Sequence, residues 1–344
     1  MKEIIEKAKR IILIIGGGIG RNIFATAVVR NLKRTYPDKD ILIVCGCTDV
    51  FQNNPHIKRI YSFDKPQHLF EDYIFDNKES VVLDVEPYRH PDYLSGNKHV
   101  VECWCELLAI PCDSIKPDLY FVKSEKEVSK AFMTKYKKPL ILIQHTGGKA
   151  PEQPTKEARL IAKDSMYRRG ITDEVAQELT DKLIADGYIV GSVQHPNQVQ
   201  PKGSELVSFP LRATLGLIPY AEGIICIDSV LQHASAAFEK QALVCWAGTS
   251  PDRLGYDIHK NLRRNVCSTP ECHRPNSYAF DIQPNGMMWN CPFSEECCDY
   301  TAEEILNAYK EMQGARYTEA TVIEPEVVKE ETKSECTGKC SHYM

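Results

Sequence analysis

At 344 residues, with roughly 150 per domain, the chain is long enough for two domains that each bury a core of their own. Hydrophobic residues at 43% and charged residues at 26% are the proportions of an ordinary globular protein and exclude a wholly disordered, collagenous or coiled-coil chain. Lys plus Arg (42) against Asp plus Glu (47) give a net charge of -5, without the positive excess on which binding to nucleic-acid phosphates draws.

The opening stretch, MKEIIEKAKRIILIIGGG, mixes acids with bases and runs straight into glycines, so no secretory signal is expected. No apolar run nears the roughly 18 residues that cross a bilayer, and a cytoplasmic protein without a membrane span is the expectation. Residues 11–15 read as a buried strand, the glycine loop GGGIGRN follows over 16–22, and residues 22–35 carry Ile23, Ala27, Val28 and Leu32 at helical spacing. Strands are predicted at 41–45, 57–61 and 81–85, and helices at 100–109 and 124–138. After Pro139 the pattern restarts: a strand at 140–143, a second glycine loop, a helix at 172–186, and strands at 188–193 and 206–209. Then come a helix at 213–220, a strand at 224–227, a helix at 230–238 and a strand at 242–246. From Cys267 the chain is rich in Cys, Pro and Asn without periodicity, residues 301–312 form a last helix, and the acidic tail 314–344 is expected to be disordered.

This alternation implies an α/β protein with two Rossmann-like doubly wound domains, 1–138 and 139–313, facing across a cleft, and a Cys-rich insertion at 267–298. Ligands in such sheets sit beyond the carboxyl ends of the strands, so the strand-to-helix loops are the place to look for a site. The loop holding Gly16, Gly18, Gly20, Arg21 and Asn22 is not a dinucleotide fingerprint, because Arg21 occupies the third glycine position and no acid ends the second strand. It also reads as an ordinary tight turn. In IICIDSVLQHASAAF, over 224–238, a strand ends at Asp228, and Asp228 or Ser229 can cap a helix whose first amides then face an anion. His233 would project near the mouth of the cleft.

That last segment resembles the strand, Asp-Thr-Gly, short gap, His and alanine run of glycosyltransferase family 9, the heptosyltransferase group with the two-domain GT-B fold. Val230 stands where the family has glycine. The opening GGGIGRNIFATAVVRNLKRTYPD, the segment NPHIKRIY at 54–61 and WAGTSPDRLGY at 246–256 are similar to family segments in the same order. The resemblance implies a donor site built from Asp228, Ser229, Val230, His233, Gly248 and Thr249, with Gly18, Gly20, Arg21 and Asn22 toward an acceptor. It also implies an inverting transfer, with an aspartate in the first loop as general base; here Arg21 and Asn22 hold that region. Asp84 and Glu86, at the end of a first-domain strand, are carboxylates of the right chemistry to replace it, and Asp49 follows another strand.

A departing nucleotide diphosphate needs positive charge. Lys149, after Thr146, Gly147 and Gly148, and the pair Arg168 and Arg169 are the cations placed for it; Gln194 and His195 end the next strand, toward a base or ribose. Cys267, Cys272, Cys291 and Cys297, with Cys298 adjacent, form two thiol pairs able to surround one structural ion. The ion would be zinc or, as in cysteine fingers of some protein-glycosylating family members, iron. Cys336, Cys340 and His342 lie in the tail and are not counted. The expected function is transfer of a heptose or hexose from a nucleotide-diphosphate sugar to a hydroxyl of a glycan, lipopolysaccharide or protein. The alternatives are a nucleotide-sugar epimerase or hydrolase on the same fold and a non-catalytic, metal-stabilised binding protein.

Overall fold

The computed structural model describes residues 1–75, 79–134, 138–147, 171–247, 249–264 and 300–320, the last six of these by backbone only. In the first half a short helix α1 (Lys2–Lys7) leads into β1 (Arg10–Ile15), α2 (Ile19–Thr35), β2 (Asp40–Cys45), β3 (Arg59–Ser62), α3 (Leu69–Tyr73) and β4 (Ser80–Leu83). α4 (Pro91–Ser95), α5 (Val100–Leu107) and α6 (Lys123–Thr134) follow. The second half runs β5 (Leu140–Gln144), α7 (Asp173–Ala185), β6 (Ile189–Val193), β7 (Glu205–Val207), α8 (Leu211–Leu215), β8 (Gly223–Ile227) and α9 (Val230–Ala237). It ends with β9 (Leu243–Trp246), α10 (Pro251–Leu254), β10 (Lys260–Arg263) and α11 (Ala302–Ala320).

β5 and β8 are buried along their whole length, because a parallel sheet covered on both faces has no wet side to reward alternation. The first sheet has the order β3-β2-β1-β4 and the second β7-β6-β5-β8-β9-β10, all pairs parallel. Counted from its own first strand, the second sheet runs 3-2-1-4-5-6, the doubly wound order, and the first runs 3-2-1-4. The direction of winding therefore reverses between β1 and β4 and again between β5 and β8. In doubly wound sheets such switch points are where ligands bind.

Several predicted elements shift, each for a local reason. The helix expected over 213–220 breaks after Leu215 and resumes as a single 3-10 turn at Ile218–Tyr220, where Pro219 has no N–H to continue the ladder. The strand expected at 57–61 begins at Arg59. The last helix does not stop near 312 but continues to Ala320, into the stretch expected to be disordered. One glycine, Gly314, costs a helix about 1 kcal/mol, too little to end one anchored by buried Ile305, Tyr309 and Met312. The Cys-rich segment 267–298 and the tail beyond 320 lie outside the described residues.

One buried cluster runs through both halves, from Phe24 and Trp104 to Leu231, Ala234 and Trp246. α2 and α9 pack directly on each other, with the Phe24 and His233 rings edge to face at 5.5 Å. No helix among the described residues is long and apolar enough to cross a membrane.

Candidate functional site

At the first switch point the glycine loop divides by role. Gly17 has φ 81, a conformation that side chains resist, and a Cβ on Gly20 would lie 3.0 Å from the His233 ring. Gly16 and Gly18 have nothing within 4 Å of where a Cβ would stand, so they face open space. Gly20 is thus needed for the meeting of the two halves, while the backbone at Gly16 and Gly18 is open to approach. Asn22, expected to contact an acceptor, is buried, and its Nδ2 donates to the carbonyls of Gly17 (3.3 Å) and Gly18 (2.9 Å). It shapes the loop from beneath.

Arg21 and Glu86 meet across the switch point. Arg21 Nη1 donates to Glu86 Oε2 at 2.9 Å, and its guanidinium lies 5.2 Å from the Tyr88 ring centre and 5.1 Å from that of Trp104. Glu86 Oε1 accepts from the Tyr88 amide at 3.2 Å, which starts the 3-10 turn after β4. A carboxylate offers about four acceptor positions, so two bonds leave Glu86 room for a third partner. Its side chain is 30% exposed and can be reached. Asp84 is exposed, and Asp49 accepts from Gln52 Nε2 at 2.9 Å on the far side of β2. The aromatic pair that seats Arg21 escaped sequence reasoning, because Tyr88 and Trp104 sit on separate elements with no shared periodicity.

At the second switch point the ends of β5, β8 and β9 converge. A Cβ on Gly147 would lie 3.5 Å from Ser229 Oγ, and Gln144 Oε1 accepts from the Leu231 amide at 3.2 Å. One of the amides that open α9 is therefore satisfied within the chain. Ser229 is the N-cap through its backbone, with no side-chain capping bond, and both it and Val230 are half-buried. Of the two cap candidates Ser229 takes the position, while Asp228 is buried and its Oδ1 accepts from Gln232 Nε2 at 3.1 Å. The hydroxyls of Thr146 and Thr249 are buried without a hydrogen-bond partner among the described residues. Such groups are costly to leave unpaired, which suits a ligand that pairs them.

Other expected donor contacts turn inward. Gln194 Oε1 accepts from Ser192 Oγ at 2.5 Å and its Nε2 donates to the Gln198 carbonyl at 3.1 Å, while the exposed His195 holds the same turn. His233 is not at a cleft mouth. It is 4% exposed, shares a 2.9 Å hydrogen bond between Nδ1 and Tyr256 Oη, and is covered by Phe24. Nearby His99 is wholly enclosed, and burial and then the neighbouring His233 push it down to about 3. Burial likewise lowers His259 to about 4; in the neutral form its Nε2–H donates to the Gln232 carbonyl and Nδ1 accepts from the Ala242 amide. Rings thus fill the contact between α2 and α9, while Arg253 and Arg212 bridge the halves elsewhere, to the Tyr93 carbonyl and to Glu125. Gly148, Lys149, Arg168, Arg169, Gly248 and the four cysteines Cys267, Cys272, Cys291 and Cys297 lie outside the described residues.

No protein-family profile and no curated protein matches the sequence. Solved structures do match. A family 9 glycosyl transferase from Veillonella parvula superposes with a TM-score of 0.64 at 12% identity, over 89% of this chain and 98% of that one. The E. coli ADP-heptose lipopolysaccharide heptosyltransferase II gives 0.57 at 16% identity, over 89% and 99%. The fold is that of glycosyltransferase family 9. A third family 9 neighbour, the dodecameric iron-containing heptosyltransferase TibC in complex with ADP-D-beta-D-heptose, gives 0.61 at 13% identity over 90% of this chain and 77% of its own. Within the family 9 fold, the two halves meet through α2 and α9, where Gly20 and Phe24 face His233.

Proposed function

We propose that the protein is an inverting glycosyltransferase that takes a sugar from a nucleotide-diphosphate donor and places it on an acceptor hydroxyl. The observation that supports this reading is the contact of α2 with α9, the helices that follow the two switch points: beside one stand an open glycine and a reachable carboxylate, beside the other a helix start and two buried hydroxyls without partners among the described residues. In this reading residues 139–313 hold the donor and residues 1–138 the acceptor. The diphosphate lies at the start of α9, against Ser229 and Val230, with Thr146 and Thr249 as hydroxyl partners. Lys149 and Arg168 supply leaving-group charge.

The acceptor oxygen attacks the anomeric carbon from the face opposite the diphosphate, its proton passes to Glu86, and the electron pair of the breaking C–O bond leaves on the diphosphate oxygen. Glu86 takes the place of the missing loop aspartate, and Arg21 holds it in place. His233 and Asn22 then act by positioning, His233 as the packing contact between halves and Asn22 as the brace of the loop. An ADP-linked heptose is the first donor to test, because two of the neighbours are named for it. Cys267, Cys272, Cys291 and Cys297 are read, from their spacing and from the iron-containing neighbour, as ligands of one structural zinc or iron ion.

Thermal-shift measurements against ADP-, GDP-, UDP- and CDP-sugars test the donor half. A ligand present at a hundred times its Kd stabilises by about 2.7 kcal/mol, several degrees in Tm for a protein of this size. One nucleotide class should give that shift, and release of the free diphosphate should then depend on added acceptor. No shift with any of the four would remove the donor site; diphosphate release that ignores acceptor would replace transfer by hydrolysis.

A further inference from the structure

Two thiols stand behind α5, away from both switch points. Cys105 is fully buried in the last turn of α5, and Cys112 is half-buried in the segment beyond it. The chain folds back between them, with Ala109 at φ 56 and the Ile110 amide donating to the Cys105 carbonyl at 3.0 Å. Asn31 Nδ2 lies 3.7 Å from each sulfur, which sets the two thiols side by side around one amide. Asn31 is itself fixed, donating to the Ser114 carbonyl at 3.2 Å and accepting from the Asp113 amide at 3.3 Å. Both sulfurs are therefore gathered around a buried amide on a different helix.

Only one of the two can be approached. Cys112 lines a cavity of about 710 Å³ whose walls come from both halves, Glu102 on one side and Pro251 and Tyr256 on the other. Cys105 lies behind it. The neighbouring Cys105 thiol holds the Cys112 thiol below its ordinary range, and Cys105 is raised by Cys112 and by burial. Burial pushes Cys45, Cys103 and Cys245 up to about 12, so they stay unreactive thiols. An accessible thiol with a buried thiol beside it is the arrangement of an attacking and a resolving cysteine.

We propose that Cys112 and Cys105 are a dithiol that forms a reversible disulfide by exchange with a low-molecular-weight disulfide. The Cys112 thiolate attacks one sulfur of the small disulfide, breaks its S–S bond and expels one small thiolate. Cys105 then gives up its proton, attacks Cys112 Sγ in the mixed disulfide and expels the second thiolate. Two protein thiols are oxidised, one small disulfide is reduced, and the two protons end on the released thiols. The new bond ties α5 to the wall of the cavity and removes both sulfur acceptors of Asn31.

The test uses the full chain, incubated with oxidised glutathione, blocked with N-ethylmaleimide and digested with trypsin. No cleavable Lys or Arg separates Cys103, Cys105 and Cys112, so they leave in one peptide. The maleimide count on that peptide should fall from three to one, with a loss of about 2 Da for the bond itself. Fragmentation should place the link between Cys105 and Cys112, and reduced glutathione should restore three maleimides. Cys105→Ser should arrest the reaction as a glutathione adduct on Cys112. Should that variant not fold, the wild-type time course gives the same information, the adduct rising and then decaying into the link. Recovery of both cysteines as maleimide adducts, or a wild-type adduct on Cys112 that never resolves, would overturn the proposal.

Discussion

Replacing Gly20 by alanine tests the contact on which the two-sided site depends. The new Cβ would stand 3.0 Å from His233 Cδ2 and 3.4 Å from Nε2, so the ring must retreat by a few tenths of an ångström. Retreat is opposed on two sides, by the 2.9 Å bond to Tyr256 and by the edge of Phe24. Overpacking of this kind costs about 1–3 kcal/mol, and alanine recovers up to about 1 kcal/mol of helix propensity in the first turn of α2. The net loss should be about 1–2 kcal/mol, a few degrees in Tm. In a His233→Ala background the clash is gone and Gly20→Ala should become neutral or stabilising, giving a coupling of about 1–2 kcal/mol between residues 213 positions apart in sequence. Urea melts of the four proteins measure it. Equal costs of Gly20→Ala in both backgrounds would mean that α2 and α9 do not meet there, and the two switch points would no longer form one site.

Glu86→Gln should keep the fold, since the Tyr88 amide retains an acceptor, and lower kcat by about 10²–10⁴ with donor affinity unchanged; full activity would place the base elsewhere. Thr146→Val and Thr249→Val remove hydroxyls that have no partner among the described residues, so stability should hold or rise while donor Kd weakens about five- to tenfold; a loss of stability would reveal a partner within the protein. His99 and His259 are neutral when folded and protonate near 6.5 when unfolded, so the unfolded chain binds more protons below that pH. Stability should therefore fall as pH drops from about 6.5 toward 4, by on the order of 1 kcal/mol per pH unit for each ring, and chemical melts that stay flat across that window would refute it. Elemental analysis of purified protein should find zinc or iron near one equivalent, lost in Cys291→Ser; metal-free protein with unaltered melting would leave the cysteines as free thiols.

What the sequence disclosed was local. The Ile-rich run before the first glycines marks β1 to within a residue, and Asp228 does end the strand before α9, because burial on both faces writes a continuous apolar signature. The loop that carries Gly18 and Arg21, and the carboxylate at Glu86, could likewise be picked out as chemistry at strand ends. Which way a side chain turns once two helices meet could not. His233 looks like a cleft residue on its own helix and is buried by Phe24, 209 residues away in the chain and beside a different sheet; Asn22 looks like a donor to a ligand and donates to its own loop. Periodicity describes one element at a time, whereas these orientations depend on packing between elements distant in the chain. The short α10 and β10 went unseen because four residues are too few to show a period.

The cluster shared by Phe24, Trp104, Leu231 and Trp246 bears on how the molecule comes apart. Cutting the chain at Pro139 would strip each fragment of apolar surface that only the other supplies, so neither piece should be expressible as a well-behaved soluble fragment. Heating should melt both sheets together in a single cooperative event, with no plateau at which one half survives the other.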